Sequence, residues 1–172
     1  MRQRQVEPDG DPFDTFVAAR YASLLRAANL ITADPHDAKD LLHDALAQVY
    51  PRRGSIREPS ATESYVRRTM VRAHVSRWRR RRRETLTALP PELPAPGEPA
   101  AVPEPAVTVA LRALPPRQRA AVVLRYYLDL STAQVAEELG CSQATAKTHL
   151  ARALRTLRIS LADQRAEVEH DV

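Results

Sequence analysis

Apolar residues recur along most of this chain at three- and four-residue spacings, the period of a helix with one face turned to a core. Phe16, Val17, Leu24, Leu25, Ala28 and Ile31 form one such stripe and predict a helix over about 13–31. Asp34-Pro35 then reads as an N-cap followed by proline at the first helical position. A second stripe, Ala38, Leu41, Leu42, Ala45, Leu46 and Val49, predicts a helix that ends at or just before Pro51. Residues 51–59 read as a basic loop. Ser60-Ala-Thr-Glu63 has the spacing of a capping box and predicts the start of a third helix. That helix continues through Val66, Met70, Ala73 and Trp78 into a run of arginines.

The second half repeats the helical period in shorter pieces. Val107–Leu114 predicts a helix stopped by Pro115-Pro116, and Arg117–Leu128 predicts another. Ser131-Thr-Ala-Gln134 is a second capping box, opening a helix over Thr132–Leu139, with Gly140 as its C′ residue. Ser142 predicts the cap of a last helix over Gln143–Leu161, with Ala146, Leu150, Ala153, Leu154 and Leu157 inward. Between the halves, Pro90–Pro105 holds seven prolines in sixteen residues, the composition of a semi-extended linker. The expected organisation is therefore a flexible N-terminus (1–11), a helical domain (12–84), a proline-rich linker (85–106), a second helical domain (107–161) and a polar tail (162–172). Glycine numbers only 4 and β-branched enrichment is slight, so the expected fold class is all-α: two small helical domains joined by the proline-rich linker, the C-terminal one a helix-turn-helix.

Composition changes this picture in two ways. The formal net charge is +5 and the cations are 24 arginines against two lysines, Lys39 and Lys147, which makes a polyanionic partner plausible. Cys141 is the single cysteine, which excludes an internal disulfide framework and a cysteine-cluster zinc site. No stretch of 18 apolar residues predicts a membrane span, and Met1–Gly10 lacks the apolar core of a signal peptide, so a cytoplasmic protein with no membrane association is expected.

Three patterns carry chemistry. Ser131–Arg158 combines a short capped helix, a tight glycine turn and a second capped helix, the layout of a helix-turn-helix. Its second helix turns Gln143, Thr145, Lys147, Thr148, His149 and Arg152 outward, polar and cationic as a base-reading face must be. The bland alternative is a helical hairpin with a solvated face. The second pattern, Arg77-Trp78-Arg79-Arg80-Arg81-Arg82-Arg83 with Arg67, Arg68 and Arg72 upstream, places like charges along one helix. An anionic backbone would relieve that repulsion, and Tyr65 and Trp78 offer faces for unpaired bases. A plain solvated charge run competes with this reading. The third pattern is His36-Asp37, Asp40 and His43-Asp44, with the three aspartates on one helix face. Such a face suits docking on a basic partner better than holding a metal, because no second ligand cluster accompanies it. No nucleophilic triad and no glycine-rich phosphate loop is visible, so an enzyme with resident cofactor or metal is not expected.

Taken in order, Ala113-Leu-Pro-Pro-Arg-Gln-Arg-Ala, Leu124-Arg-Tyr-Tyr-Leu-Asp-Leu-Ser, Val135-Ala-Glu-Glu-Leu-Gly-Cys-Ser and Lys147–Leu157 resemble the C-terminal promoter-binding domain of the sigma-70 superfamily. Asp34-Pro-His-Asp-Ala-Lys-Asp-Leu-Leu-His-Asp-Ala and Tyr65-Val-Arg-Arg-Thr-Met-Val-Arg resemble its region 2 domain. With these two domains alone, over about 12–160, the chain is similar to extracytoplasmic-function sigma factors of the actinobacterial SigE type. The resemblance implies an initiation factor that binds core RNA polymerase and reads promoter DNA, both duplex and melted. It implies that Thr145, Lys147, Thr148, His149 and Arg152 read the upstream (−35) element. It assigns the downstream (−10) element to the third helix and its preceding loop, including Arg68, Arg72, Arg77, Trp78 and Arg79. It makes Asp37, Asp40, Leu41 and Asp44 the polymerase-docking surface, and an anti-sigma factor a candidate partner. The free chain is expected to be a monomer.

Two other readings stay open at this stage. A stand-alone helix-turn-helix regulator would explain Ser131–Arg158 but leave the arginine and aspartate helices without purpose. A metal-dependent nucleic-acid enzyme would use His36, Asp37, Asp40, His43 and Asp44.

Overall fold

The computed structural model of the chain describes residues 11–55, 58–87 and 105–170, apart from the side chains of 59, 85–87 and 164–170. Every regular element among the described residues is helical. The first unit comprises α1 (Pro12–Thr32), α2 (Pro35–Val49), a 3-10 turn (Tyr50–Ser55) and α3 (Pro59–Thr87). The second comprises α4 (Ala106–Arg112), α5 (Pro116–Val122) running into a π-helical turn (Val123–Tyr127), α6 (Thr132–Leu139) and α7 (Gln143–His170).

Local chemistry sets most of these boundaries. Asp11 caps α1 by accepting from the Phe13 amide at 2.9 Å, and Asp34 caps α2 by accepting from the His36 and Asp37 amides. These amides, with Arg53 beside Asp11, hold both carboxyls below the usual carboxylate range. The Ser131–Gln134 box is reciprocal: the serine hydroxyl accepts from the Gln134 amide at 3.2 Å and the Gln134 side chain accepts from the Ser131 amide at 2.8 Å. Gly140 takes the left-handed conformation (φ 61°) that ends α6. The Ser142 hydroxyl accepts from the Thr145 amide at 3.1 Å and opens α7.

The capping box expected at Ser60 does not open α3. The helix begins at Pro59, with the Glu58 carbonyl accepting from the Thr62 amide. Glu63, the residue that would close the box, is drawn instead to Arg20 and Arg67. The helix expected over Arg117–Leu128 changes character midway: the Leu128 amide reaches back to the Val123 carbonyl, one residue further than an α-helix allows. Helix α7 continues to His170, past the expected end at Leu161 and through most of the segment read as a tail. The proline-rich linker (88–104) and residues 1–10 lie outside the described residues, whereas 85–87 still belong to α3.

Phe16, Leu24, Ile31, Leu42, Val49, Val66 and Met70 fill the first unit. Leu111, Leu124, Val135, Leu139, Ala146, Leu150 and Ala153 fill the second, and the buried apolar residues of both form one contiguous cluster. The units meet where α5 and α6 pack against α1 and α3. Among the described residues, no helix is long and apolar enough to cross a membrane.

Candidate nucleic-acid interface

The helix-turn-helix presents its second helix as its spacing requires. Ala146, Leu150 and Ala153 are buried, which turns Gln143, Thr145, Lys147, Thr148 and Arg152 to solvent. The threonine hydroxyls are partly engaged at home: Thr145 meets Ser142 at 2.8 Å and Thr148 donates to the Ala144 carbonyl at 3.0 Å. His149 is only half-exposed, and burial together with Arg117 and Arg152 lowers its pKa. Its Nδ1 is buried without a protein partner. His149 is thus a neutral edge residue of the face, while Gln143, Lys147 and Arg152 are its outward reach.

Helix α3 carries the second surface, over 29 residues. Between it, α2 and the 3-10 turn lies an open groove of about 500 Å³ lined by Asp44, Arg52, Tyr65, Arg72, Arg77 and Arg80. Arg52 donates to the Tyr65 hydroxyl and lies over its ring, 5.8 Å from the centroid. Trp78 is 36% exposed, with the Arg82 guanidinium 5.2 Å from its ring centroid. A ring beside a guanidinium group in a largely cationic groove suits a single strand, whose bases stack while its phosphates are neutralised. Tyr65, Arg72 and Arg77 were expected here. Arg52 and Arg80 were not singled out, although the basic loop and the arginine run contained them. Trp78 and Arg79 fall between Arg77 and Arg80 on α3 but on other faces of the helix, so neither lines this groove; Arg79 is exposed and borders a separate recess with Val75 and Arg117. Arg68 points elsewhere, to Glu137 of α6 at 2.7 Å.

The aspartate face of α2 lies beside the basic end of α3. Asp37 accepts both Nη atoms of Arg81 at 3.0–3.2 Å, and Asp44 pairs with Arg77. Asp40 is exposed. His43 shares a 2.9 Å hydrogen bond with the Tyr21 hydroxyl. Two of the three acids a metal site would use are thus held by arginines, and the described residues contain no cluster of three or more His, Cys, Asp or Glu arranged for a metal. One expectation is corrected: Leu41 is wholly buried in the core beneath this aspartate face, so its side chain is not part of the surface.

His74, one turn before the arginine run, sits at the meeting of α2, α3 and α5. Burial and the neighbouring Arg119, with Arg81 and Arg77 adding to it, push its pKa down to about 4 against the opposing pull of Asp37. Its Nε2 is buried without a protein partner.

Comparison with known proteins agrees with this arrangement. Residues 16–84 match sigma-70 region 2, and residues 106–157 match sigma-70 region 4. The chain is 38% identical over 151 residues to the RNA polymerase sigma-E factor of Streptomyces coelicolor, covering 87% of this chain and 85% of that protein. It is 35% identical over 150 residues to the ECF RNA polymerase sigma factor SigM of Mycobacterium tuberculosis, covering 86% and 76%. The fold matches the sigma factor RpoE of Bartonella quintana, solved with the anti-sigma factor NepR, at a TM-score of 0.70 and 21% identity, over 89% of this chain and 98% of that one. The two sigma-70 regions in order, and relatives of this identity over most of their length, leave one conclusion: the chain belongs to the sigma-70 family, in its extracytoplasmic-function branch, and is a sigma factor that directs promoter-specific transcription initiation.

Proposed function

We propose that the chain divides this task between its two units. The exposed face of α7, through Gln143, Lys147 and Arg152 with Thr145, Thr148 and His149 beside them, reads the −35 duplex. The groove along α3, with Tyr65, Arg72 and Arg77, and the neighbouring faces of α3 that carry Trp78 and Arg79 take the −10 element and its unpaired bases, and Arg68 joins them once released from Glu137. The acids Asp37, Asp40 and Asp44 dock on core RNA polymerase, with Leu41 fixing the helix that presents them. The protein performs no catalysis itself, acts in the cytoplasm and is monomeric before polymerase binds. An anti-sigma factor, the kind of partner bound to the Bartonella quintana relative, is its natural inhibitor.

The observation that supports this reading above a stand-alone regulator is the arginine-rich groove with Tyr65 in its wall beside the acidic α2 face. A duplex-binding regulator needs neither. The test is retention of purified core RNA polymerase by the immobilised chain, followed by run-off transcription from a genomic promoter library. Stable binding with promoter-specific transcripts is expected. Duplex binding with no polymerase binding would move the chain to the regulator class.

A further inference from the structure

We infer that the recess between α3, α5 and α6 is a binding site for a diphosphate group, borne either by the free inorganic ion or by a small nucleotide.

The arginines of α3 fall into two sets. Arg67, Arg68, Arg77, Arg80 and Arg81 each pair with a carboxylate. Arg72 and Arg79 pair with none among the described residues. They stand two helical turns apart on one face of α3, and both border a recess of about 160 Å³. Arg117 of α5 borders it from the other side. Arg117 has no acidic partner either, and its Nε is buried without a protein partner. No described carboxylate lines the recess. A guanidinium taken out of water without a counter-charge is costly, and three facing one hollow repel each other. The uncompensated field is felt nearby: burial, then Arg117 and Arg152, hold the His149 imidazole below its usual range.

The rest of the lining suits an oxyanion. Val71, Val75 and Leu139 are buried and form an apolar floor. Such a floor excludes water from one side and strengthens charge pairing above it. The Ser76 hydroxyl, also at the recess, has no hydrogen-bond partner among the described residues and is available to donate. Guanidinium forks match phosphoryl oxygens two at a time.

Size and charge select the ligand. The volume is room for about five waters at roughly 30 Å³ each. A diphosphate group fits such a space, while a sugar and base attached to it would lie outside. One phosphoryl group brings at most about two negative charges, fewer than the three guanidiniums. A diphosphate supplies more charge and an oxygen pair for each fork. A nucleic-acid strand brings one charge per phosphate, and the sugars on either side of that phosphate have no room here. Arg72 and Ser76 also border the groove along α3. A filled recess therefore withdraws Arg72 and Arg79 from the −10 strand, a consequence that rests on the −10 assignment above.

The test is titration calorimetry on the full chain with sodium diphosphate, in phosphate-free and magnesium-free buffer at fixed ionic strength. Saturable binding at one site per chain is expected. Arg79→Gln and Arg117→Gln should each weaken it by about tenfold or more, the worth of a charge-assisted contact. Arg79 is exposed, so its variant keeps the fold, checked by helical circular dichroism. Ser76→Asp, at another exposed position, sets a carboxylate beside the arginines and should abolish binding. Arg155→Gln removes an exposed cation of α7 outside the recess and should change nothing. Adenosine diphosphate separates the two sources. Binding as tight as the inorganic ion, with the same loss in Arg79→Gln, supports a nucleotide; much weaker binding supports the free ion. Absence of saturable diphosphate binding, or binding that ignores Arg79 and Arg117, or an equal loss in Arg155→Gln, would overturn the inference. Diphosphate should also displace a single-stranded −10 oligonucleotide. Failure of displacement with diphosphate binding intact would overturn the −10 role of Arg72 and Arg79 and leave the site standing.

Discussion

Arg77 pairs with Asp44 across the seam between α3 and α2. One residue belongs to the groove proposed for the melted strand and the other to the face proposed for polymerase. The two surfaces therefore draw on the same ion pair. On the proposed roles, polymerase that takes Asp44 should set Arg77 free for a phosphate, and such a coupling is reciprocal.

Exposed pairs of this kind contribute about 0–1 kcal/mol to stability. Asp44→Asn should accordingly leave the melting temperature nearly unchanged, weaken core polymerase binding, and strengthen polymerase-free binding to a single-stranded −10 oligonucleotide by a few-fold. Titrations with each ligand measure the two effects separately. A loss of both affinities together would break the proposed division between the surfaces.

Acid should destabilise the protein through His74. Its folded pKa lies near 4 against an ordinary value of 6.5. Between those values the unfolded chain binds a proton that the folded chain refuses, so stability is fully present above about pH 6.5 and falls as pH drops toward 4. The full difference corresponds to about 3 kcal/mol. His149, shifted the same way, adds to the slope. Urea unfolding at pH 7.5 and pH 5 should show the loss in wild type and a flatter profile in His74→Gln.

On the recognition helix, Lys147→Ala and Arg152→Ala should weaken −35 binding while core polymerase affinity holds. A lost phosphate contact lowers the salt slope by about 1, whereas a lost base contact costs about 1–3 kcal/mol and relaxes sequence preference at one position. Binding isotherms at several salt concentrations on matched and mutated −35 duplexes separate these cases.

Two substitutions should act on the fold alone. Leu41→Ala removes a wholly buried side chain and should cost about 2–5 kcal/mol. Any loss of polymerase binding would then follow loss of α2 packing and recover at low temperature. At Gly140 an added Cβ meets nothing within 4 Å, so Gly140→Ala carries only the left-handed backbone cost, about 1–2 kcal/mol. Thermal melts of both variants check these values.

The helix ends show how much was legible beforehand. Asp34, Ser131, Gly140 and Ser142 were read as caps and act as caps, because a cap involves partners two to four residues away. Ser60 failed for a tertiary reason: Arg20, far away in the chain, competes for Glu63. The resemblance puts Leu41 on the docking surface, although its stripe with Ala38, Leu42 and Ala45 already points inward.

By itself the sequence determined the helices of both units, the helix-turn-helix with its outward polar face, and the basic and acidic surfaces, since periodicity, caps and charge runs are local signals. It also carried the family, through motifs in order. Only the tertiary structure decided where those charges go. Arg112 meets the Ala33 carbonyl 79 positions away, and Glu138 meets Ser64 74 positions away. No local pattern encodes such pairs, because they exist only once the two halves of the chain pack against each other in one register.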